Sequence, residues 1–360
     1  MRILCVTTKL CTGGVQTFLV SYARELVKYD IWMDFVVQTT EEQLYDQELI
    51  NIGCRIFSVC PYEESKYHFL KDIYKILQQN SEYEILHTHL NFLNAIPLFA
   101  AFLAKCPTRI SHSHSNYLAS SLKARIARVL LRLAIKIFAT DLWACSQAAA
   151  NWLYGIRSNV QIVKNAVDSS KYTYNYAIRE KLRTSLEIPD SHCVWIHVGT
   201  YSRIKNQIHI LNVLKEYIAC DNKVRLLLCG DGELSNEINN TINELGLQEH
   251  VIQIGYTCNV CDYLQAADVF VFPSLFEGLP FALIEAQTAG LPVVVSNAIS
   301  EEALFGNYYK CETFNASEWV LNINNAKQLG RTHSVGYVQA SGYSLDEESK
   351  RLAELYRTLI

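Results

Sequence analysis

Hydrophobic and polar positions follow two alternating periods along the chain. Short apolar runs rich in β-branched residues are each followed by a segment whose apolar residues recur three and four positions apart, as in 15–27. The runs are typical of buried strands, and the spaced positions predict helices with one buried face. In the first half, strands are predicted at 2–8, 33–37, 55–59, 85–88 and 109–112. Strands that alternate with helices indicate a parallel sheet covered on both faces.

The same pattern restarts after a polar stretch at 169–191. Its end, Ile188-Pro189-Asp190, suits a turn before the next strand. Two doubly wound, Rossmann-like α/β domains are therefore predicted, at 1–172 and 173–344, and ligands of such sheets bind at the carboxyl ends of the strands. An amphipathic helix is expected at 345–360. The second-half strands are expected at 193–198, 224–228, 251–254, 269–272 and 292–295, and the helices at 206–217, 234–245 and 280–288.

Composition narrows the class of protein. The chain has 360 residues, half of them hydrophobic, and a formal net charge of −4. This describes a globular protein with no overall attraction to nucleic acid. No apolar run reaches the roughly 18 residues of a membrane span. Several of the cysteines lie in apolar runs, where a thiol acts as a small hydrophobe, so a reducing cytoplasm is expected. The CxxC pair Cys258 and Cys261 lacks the second pair that a metal site needs.

Two glutamates are the leading candidates for chemistry. Glu277 follows the strand at 269–272, and Glu285 lies eight positions later on the next helix. Pro280 suits the first turn of that helix, and the N–H groups of Gly278, Leu279 and Phe281 would form an anion site there. Carboxylates beside an anion site suit a ligand that carries both hydroxyls and phosphates. On spacing alone, two ordinary helix-end glutamates remain an equally good interpretation.

The segment EGLPFALIEA resembles the motif of the family 4 retaining glycosyltransferases, which have the GT-B fold. Further matches in the same order are Thr12-Gly13-Gly14-Val15-Gln16, Val163–Asp168 with Ala166 in place of the usual glycine, Gly230-Asp231-Gly232-Glu233, and Ala267-Asp268-Val269. The resemblance implies two domains around a cleft, with the C-terminal helix crossing back to the first. It implies transfer of a hexosyl group from a nucleotide-diphospho-sugar, most often a UDP-sugar, with retention, in bacterial surface polysaccharide synthesis. The acceptor would be a glycan or lipid-linked glycan.

The same resemblance implies roles for particular residues. Glu277 would contact the donor sugar, Glu285 the ribose, and His89 the cleft near the reacting sugar. The remaining donor-side positions are Gly13, Gly14, Gly199, Gly232, Glu233, Gly278, Leu279, Pro280 and Phe281, and the acceptor-side candidates are His114 and Asn165.

Two cations follow the strand at 193–198. Arg203 and Lys205 could neutralise the diphosphate leaving group, which is electrostatic stabilisation of developing charge. No metal and no cofactor would then be needed. The family usually has arginine directly after the glycine, but Thr200 stands there, so a surface arginine remains open for Arg203. The Gly13-Gly14 loop lacks the GxGxxG pattern, which disfavours NAD.

Four histidines end two strands. His87 and His89 alternate onto one face of their strand, and His112 and His114 end the next. Zinc is the alternative use of such residues, although no acidic or cysteine partner is apparent nearby in the sequence.

A basic helix lies in a region without acidic residues. At roughly 100° per residue, Arg125, Arg128, Arg132 and Lys136 form one stripe. Such a helix can lie on an anionic membrane surface, so the protein could bind the inner face of the cell membrane. A helix packed into its domain with a solvated basic edge is an equally open interpretation.

Two other functions also remain open: a sugar-nucleotide epimerase or phosphorylase on the same fold, and a non-catalytic partner in a glycosyltransferase complex.

Overall fold

The protein folds into two compact α/β units. The computed structural model describes residues 1–11, 13–114, 122–156, 158–257, 259–332 and 335–360, with side chains in the helix after residue 121 described from residue 127 and those in the helix after 334 from residue 336. The first unit comprises Met1–Ala166 and Leu345–Ile360, and the second comprises Val167–Ser344.

The first unit contains a seven-stranded parallel sheet. Its strand order is β3-β2-β1-β4-β5-β6-β7, which is the doubly wound order of Rossmann-like domains. The central strands read as buried apolar runs because helices cover both faces of the sheet. The strands are β1 (Arg2–Val6), β2 (Trp32–Val37), β3 (Ile56–Ser58), β4 (Tyr83–Thr88), β5 (Thr108–Ser113), β6 (Asp141–Ala144) and β7 (Gln161–Ile162).

Helices α1 to α6 follow these strands, and the C-terminal helix α15 completes the unit. The bounds are α1 (Gly14–Leu26), α2 (Asp46–Asn51), α3 (Lys66–Gln79), α4 (Ala95–Leu103), α5 (Leu122–Phe138), α6 (Gln147–Tyr154) and α15 (Leu345–Arg357), with short 3₁₀ turns at Val27–Tyr29 and Asn91–Asn94. In α15, Leu352 and Tyr356 are fully buried. Burial of this apolar stripe fixes the helix in the first unit, where it packs against α1.

The second unit repeats the pattern with six parallel strands in the order β10-β9-β8-β11-β12-β13. The strands are β8 (Cys193–Val198), β9 (Val224–Cys229), β10 (Val251–Gly255), β11 (Val269–Phe272), β12 (Val293–Ser296) and β13 (Tyr308–Cys311). The helices are α7 (Ser169–Tyr172), α8 (Tyr176–Ser185), α9 (Gln207–Ile218), α10 (Ser235–Leu245), α11 (Val260–Ala266), α12 (Phe281–Thr288), α13 (Ala316–Leu329) and α14 (Val335–Ala340), with a 3₁₀ turn at Glu301–Ala303. Trp195 and Trp319 are fully buried in its core.

The ten predicted strands are present, each within two residues at either end, and β6, β7 and β13 are additional. The unit boundary falls after Ala166 rather than after residue 172, because α7 packs against α11 and α12 of the second unit. No helix among the described residues is long and apolar enough to cross a bilayer.

Candidate functional site

Lys205 and Glu277 form an ion pair in the second unit. Lys205 lies in the loop between β8 and α9, and Glu277 follows β11, the neighbouring strand. Their Nζ and Oε1 atoms are 2.5 Å apart, and the side chains are 22% and 12% exposed. The ammonium also lies 5.1 Å from the centre of the Phe272 ring. The structure therefore brings together two of the residues that the sequence proposed for the donor side.

Two side chains that sequence reasoning missed support this loop and the strand before it. Gln207 donates from Nε2 to the carbonyl of Thr200 at 3.0 Å. His197, fully buried in β8, pairs through Nδ1 with the carbonyl of Val271 at 2.9 Å. Burial lowers the pKa of His197 to about 4, so its ring is neutral near pH 7. The spacing of these residues carries no motif, and only the folded register places them under the loop.

Glycines let the loops after β8 and β9 touch. A Cβ on Gly230, whose φ is +146°, would lie 2.1 Å from the carbonyl oxygen of Gly199. A Cβ on Gly232 would lie 2.5 Å from the carbonyl oxygen of Tyr201. The close packing of the two loops therefore accounts for a glycine at position 232. Glu233, the next residue, is exposed on the same loop.

Arg203 differs from Lys205 in its surroundings. Its side chain is exposed, as is Thr200, which stands at the usual arginine position. Within the described part of the chain, no salt bridge joins Arg203 to an acidic residue. The structure thus separates the two predicted cations: one is paired and mostly buried, and the other is solvated.

Glu285 lies on α12, which begins at Phe281 with Pro280 as its N-cap residue, one position later than predicted. Gly278 and Leu279 lie in the loop that precedes it. The hydroxyl of Tyr172 donates to Oε1 of Glu285 at 2.7 Å. Burial raises the pKa of Glu285, and the hydrogen bond from Tyr172 lowers it. Tyr172 was not identified from the sequence, although only three residues, Ser169, Ser170 and Lys171, separate it from the end of the Val163–Asp168 motif.

A histidine cluster, made of His87, His89, His112 and His114, lies at the carboxyl ends of β4 and β5 in the first unit. His87 Nε2 is 3.0 Å from His112 Nδ1, and His89 Nδ1 is 2.8 Å from His114 Nε2. His87 Nδ1 is 2.7 Å from the hydroxyl of Tyr356 on α15. Burial lowers the pKa of all four imidazoles, and that of His114 falls to about 3.

The surroundings of the cluster correct one expectation. Cys5 of β1 is the register partner of His87, and Cys5, His87 and His89 could each offer an atom to a metal ion. A cysteine partner, absent from the sequence pattern, is therefore present in the fold, because parallel register brings distant strands together. Phe18 of α1 covers the cluster, with its ring 5.2 Å from that of His112.

Three further predicted residues also lie in the first unit. Gly13, at φ +151°, precedes α1, and a side chain there would be strained. Gly14 begins the helix, and both glycines are exposed. Asn165 is buried near the end of the unit.

Two of the four cations predicted for a membrane surface are engaged inside the fold. Arg132 donates to the carbonyls of Leu153 and Trp152 at 2.8 and 2.7 Å. The guanidinium of Arg128 lies 5.2 Å from the Phe92 ring centre and 5.8 Å from that of Trp152. The prediction of a membrane-facing stripe is wrong for these two, because the helix packs its arginine side against the unit.

The outward surface of α5 is apolar instead. Val129, Leu130, Leu133 and Ile137 are each more than half exposed. Lys136 is exposed beside them, and the side chain of Arg125 lies outside the described residues.

Comparison with known proteins gives the family. A family model described as "Glycosyltransferase Family 4" matches residues 12–171, and one described as "Glycosyl transferases group 1" matches residues 178–331. A protein of Bacillus subtilis (strain 168) that carries the name glycosyltransferase EpsF is 28% identical over 308 residues, covering 84% of this chain and 80% of the relative. The capsular polysaccharide biosynthesis glycosyltransferase CapH of Staphylococcus aureus is 24% identical, covering 86% of each chain.

Solved structures give the fold. HepE from Anabaena, crystallised with UDP and glucose, superposes with a TM-score of 0.81 at 18% identity, covering 99% of this chain and 100% of that one. The two doubly wound units are thus those of the GT-B fold. Because the two family models together cover both units, the chain belongs to the glycosyltransferases, with a family 4 domain followed by a group 1 domain.

Proposed function

We propose that this enzyme transfers a hexosyl group from a UDP-sugar to a glycan or lipid-linked glycan, with retention at the anomeric carbon, in bacterial surface polysaccharide synthesis. The observation that carries the proposal is the ion pair of Lys205 and Glu277 at the carboxyl ends of neighbouring strands, with Glu285 on the helix that follows. Ligands of doubly wound sheets bind at this edge.

In the proposed donor site, Lys205 stabilises the negative charge that develops on the diphosphate as the sugar leaves. A preorganised cation in a partly desolvated place does this more effectively than water. Glu277 keeps the ammonium in position and accepts hydrogen bonds from hydroxyls of the donor sugar. Glu285 accepts hydrogen bonds from the ribose hydroxyls. Backbone N–H groups at the start of α12 donate hydrogen bonds to the phosphates. Arg203, which is solvated, contributes less than Lys205.

No protein nucleophile is assigned. Neither glutamate takes that role, and an oxygen of the donor phosphate acts as the base toward the acceptor hydroxyl. Because Lys205 balances the leaving group, the diphosphate requires neither a metal ion nor a cofactor. In the first unit, His89, His114 and Asn165 contribute to acceptor binding, since buried neutral rings can donate or accept one hydrogen bond at each nitrogen.

The names of relatives support the substrate classes. One relative, from Escherichia coli, is named UDP-Gal:alpha-D-GlcNAc-diphosphoundecaprenol alpha-1,3-galactosyltransferase; it is 28% identical over 252 residues, covering 67% of this chain and 64% of the relative. That protein's name contains a UDP-sugar and a lipid-linked acceptor. The proposed site of this chain suits such a donor, because its carboxylates can bind sugar hydroxyls and its lysine can bind the diphosphate.

The apolar face of α5 supports a membrane-surface location for the proposed reaction. Leu130, Leu133 and Ile137 project from a helix in a region, residues 85–140, that contains no aspartate or glutamate. An exposed apolar face with Lys136 beside it suits the boundary between anionic headgroups and acyl chains. A lipid-linked acceptor would be presented at that boundary.

The proposal is tested by a donor screen. Purified enzyme is mixed with a panel of UDP- and GDP-sugars and with diphosphate-linked lipid acceptors, and nucleotide release is measured. We expect release from one UDP-hexose, dependent on acceptor, and an α-linked product by NMR from an α-linked donor. The Glu277→Gln variant should lose this activity. Transfer unchanged in Glu277→Gln would favour a non-catalytic role for the pair, and interconversion of UDP-sugars without acceptor would indicate an epimerase.

A further inference from the structure

Among the residues that the structure describes, no hydrogen-bond partner is found for one nitrogen in each of three rings of the histidine cluster. These buried atoms are Nε2 of His89, Nε2 of His112 and Nδ1 of His114. His112 is fully buried, His89 is 4% exposed, and His114 is half-buried. Buried polar atoms in native proteins nearly always have partners. Three orphaned atoms on adjacent rings therefore indicate a missing ligand.

Proton counting shows which kind of ligand is missing. Each neutral imidazole has one N–H group and one lone pair. In the hydrogen bond between His89 and His114 one ring donates and the other accepts, so their outer nitrogens are always one N–H and one lone pair. His112 Nε2 offers a lone pair when its Nδ1–H donates to His87. The cluster thus offers lone pairs of neutral rings, and no donor within the described part of the chain bonds to them.

We propose that His89, His112 and His114 bind one divalent transition-metal ion of the Zn²⁺ type. One ring nitrogen from each lies within 4.8 Å of the other two. Three imidazole nitrogens with an open fourth position are a known zinc ligand set.

Binding changes one contact in the cluster. His89 and His114 each keep one N–H and each give a lone pair to the ion, so the hydrogen bond between them breaks and no proton is released. His114 is the least enclosed of the three, and its ring is the one that turns. The proposal concerns metal binding alone and leaves the diphosphate charge to Lys205.

The groups around the ligands fit a supporting role. His87 uses both nitrogens, one toward Tyr356 and one toward His112, and so fixes the orientation of the His112 ring. Phe18 lies against His89, His112 and His114 at ring distances of 5.9, 5.2 and 5.0 Å and excludes water.

A second geometric set, Cys5, His87 and His89, is disfavoured by the same counting. His87 has no free nitrogen, and burial together with the charge of Asp34 raises the pKa of the Cys5 thiol. Metal binding by that set would require loss of the thiol proton. The number of protons released therefore distinguishes the two sets.

The test uses the full-length chain without a histidine tag, stripped of metal with a chelator. Zn²⁺ is titrated by calorimetry in two buffers of different ionisation enthalpy, and Co²⁺ is followed by visible absorption. We expect one ion per chain, intense Co²⁺ bands of a four-coordinate site, and the same heat in both buffers. Absence of stoichiometric binding overturns the proposal, and release of one proton overturns the assigned ligand set.

Matched variants locate the site. His112→Gln and His114→Gln should each weaken Zn²⁺ binding at least tenfold. His209→Gln is the control, because His209 is also a buried histidine whose Nε2 has no partner among the described residues, but it lies in the second unit and outside the histidine cluster. Thermal unfolding of the metal-free variants verifies that they fold, and the half-buried position of His114 makes that variant the safer one. Equal affinity in wild type and His114→Gln, or an equal loss in His209→Gln, contradicts the assignment.

Discussion

Tyr172 donates a hydrogen bond to Glu285 at 2.7 Å. It joins the last residue of α7, near the start of the second unit, to the middle of α12. A charged acceptor makes this a stronger bond than one between neutral groups. The bond holds the carboxylate in one orientation, as the ribose-binding role that we propose for Glu285 requires.

Removal of the Tyr172 hydroxyl should weaken donor binding in a pH-dependent manner. Tyr172→Phe keeps the ring and removes only the donor, at a cost of about 1 kcal/mol in donor affinity, or roughly fivefold in KM. Because the hydrogen bond lowers the pKa of Glu285 and burial raises it, the pKa rises further in the variant. Donor KM, measured as a function of pH, should then increase with falling pH from a higher pH than in wild type.

A matched tyrosine provides the control for this prediction. Tyr176→Phe removes a hydroxyl from an exposed tyrosine in the neighbouring helix α8 and should leave the pH profile of donor KM unchanged. Coincident profiles for wild type and Tyr172→Phe would show that Tyr172 does not act through Glu285.

Neutralising Lys205 should slow the chemical step more than it weakens donor binding. Lys205→Gln removes the cation that we assign to the leaving diphosphate and takes the ammonium away from the partly buried Glu277 carboxylate. A kcat loss of about 100-fold or more is expected, as for other groups that stabilise transition-state charge. Lys215→Gln, on the exposed surface of α9, is the control. Unchanged single-turnover rates in Lys205→Gln would exclude the role.

The alternation of apolar runs and helical spacing was sufficient to predict both sheets. Strands 193–198 and 269–272 coincide with β8 and β11, because long buried runs next to helices leave little choice of structure. Three strands were missed: the edge strands β7, of two residues, and β13, and the four-residue internal strand β6, since such strands are short and only partly buried.

Site prediction from sequence depended on local motifs and failed where partners are distant. Glu277 and Glu285 lie in one short segment, but Tyr172 is 113 positions from Glu285. The sequence also did not predict that Arg132 points into its own unit, because an amphipathic pattern does not indicate which face of the helix packs against the protein. Contacts of this kind depend on strand register and helix packing, which the spacing of residues in one element does not encode.

Gly230 should tolerate no side chain. In Gly230→Ala the added Cβ would approach the carbonyl oxygen of Gly199 to 2.1 Å, so one loop must move, and we expect a loss of ~3 kcal/mol in the free energy of unfolding. Gly246→Ala is the control: its φ is also positive, but no atom lies within 4 Å of the new Cβ. It should cost only about 1 kcal/mol. Urea denaturation followed by fluorescence measures both, and equal losses would rule out the steric explanation.

The exposed face of α5 should determine membrane binding. Leu130→Gln, Leu133→Gln and Ile137→Gln together remove three apolar side chains that are 63%, 53% and 69% exposed. Their burial in the bilayer interface would contribute ~1 kcal/mol each. We therefore expect the triple variant to bind anionic vesicles at least tenfold more weakly in a sedimentation assay, with the same thermal stability. Leu321→Gln, at a position 61% exposed on α13, is the control. Arg132→Ala should instead lower stability, because it removes hydrogen bonds to the carbonyls of Leu153 and Trp152. Co-sedimentation of the triple variant at the wild-type level would mean that α5 does not contact the membrane.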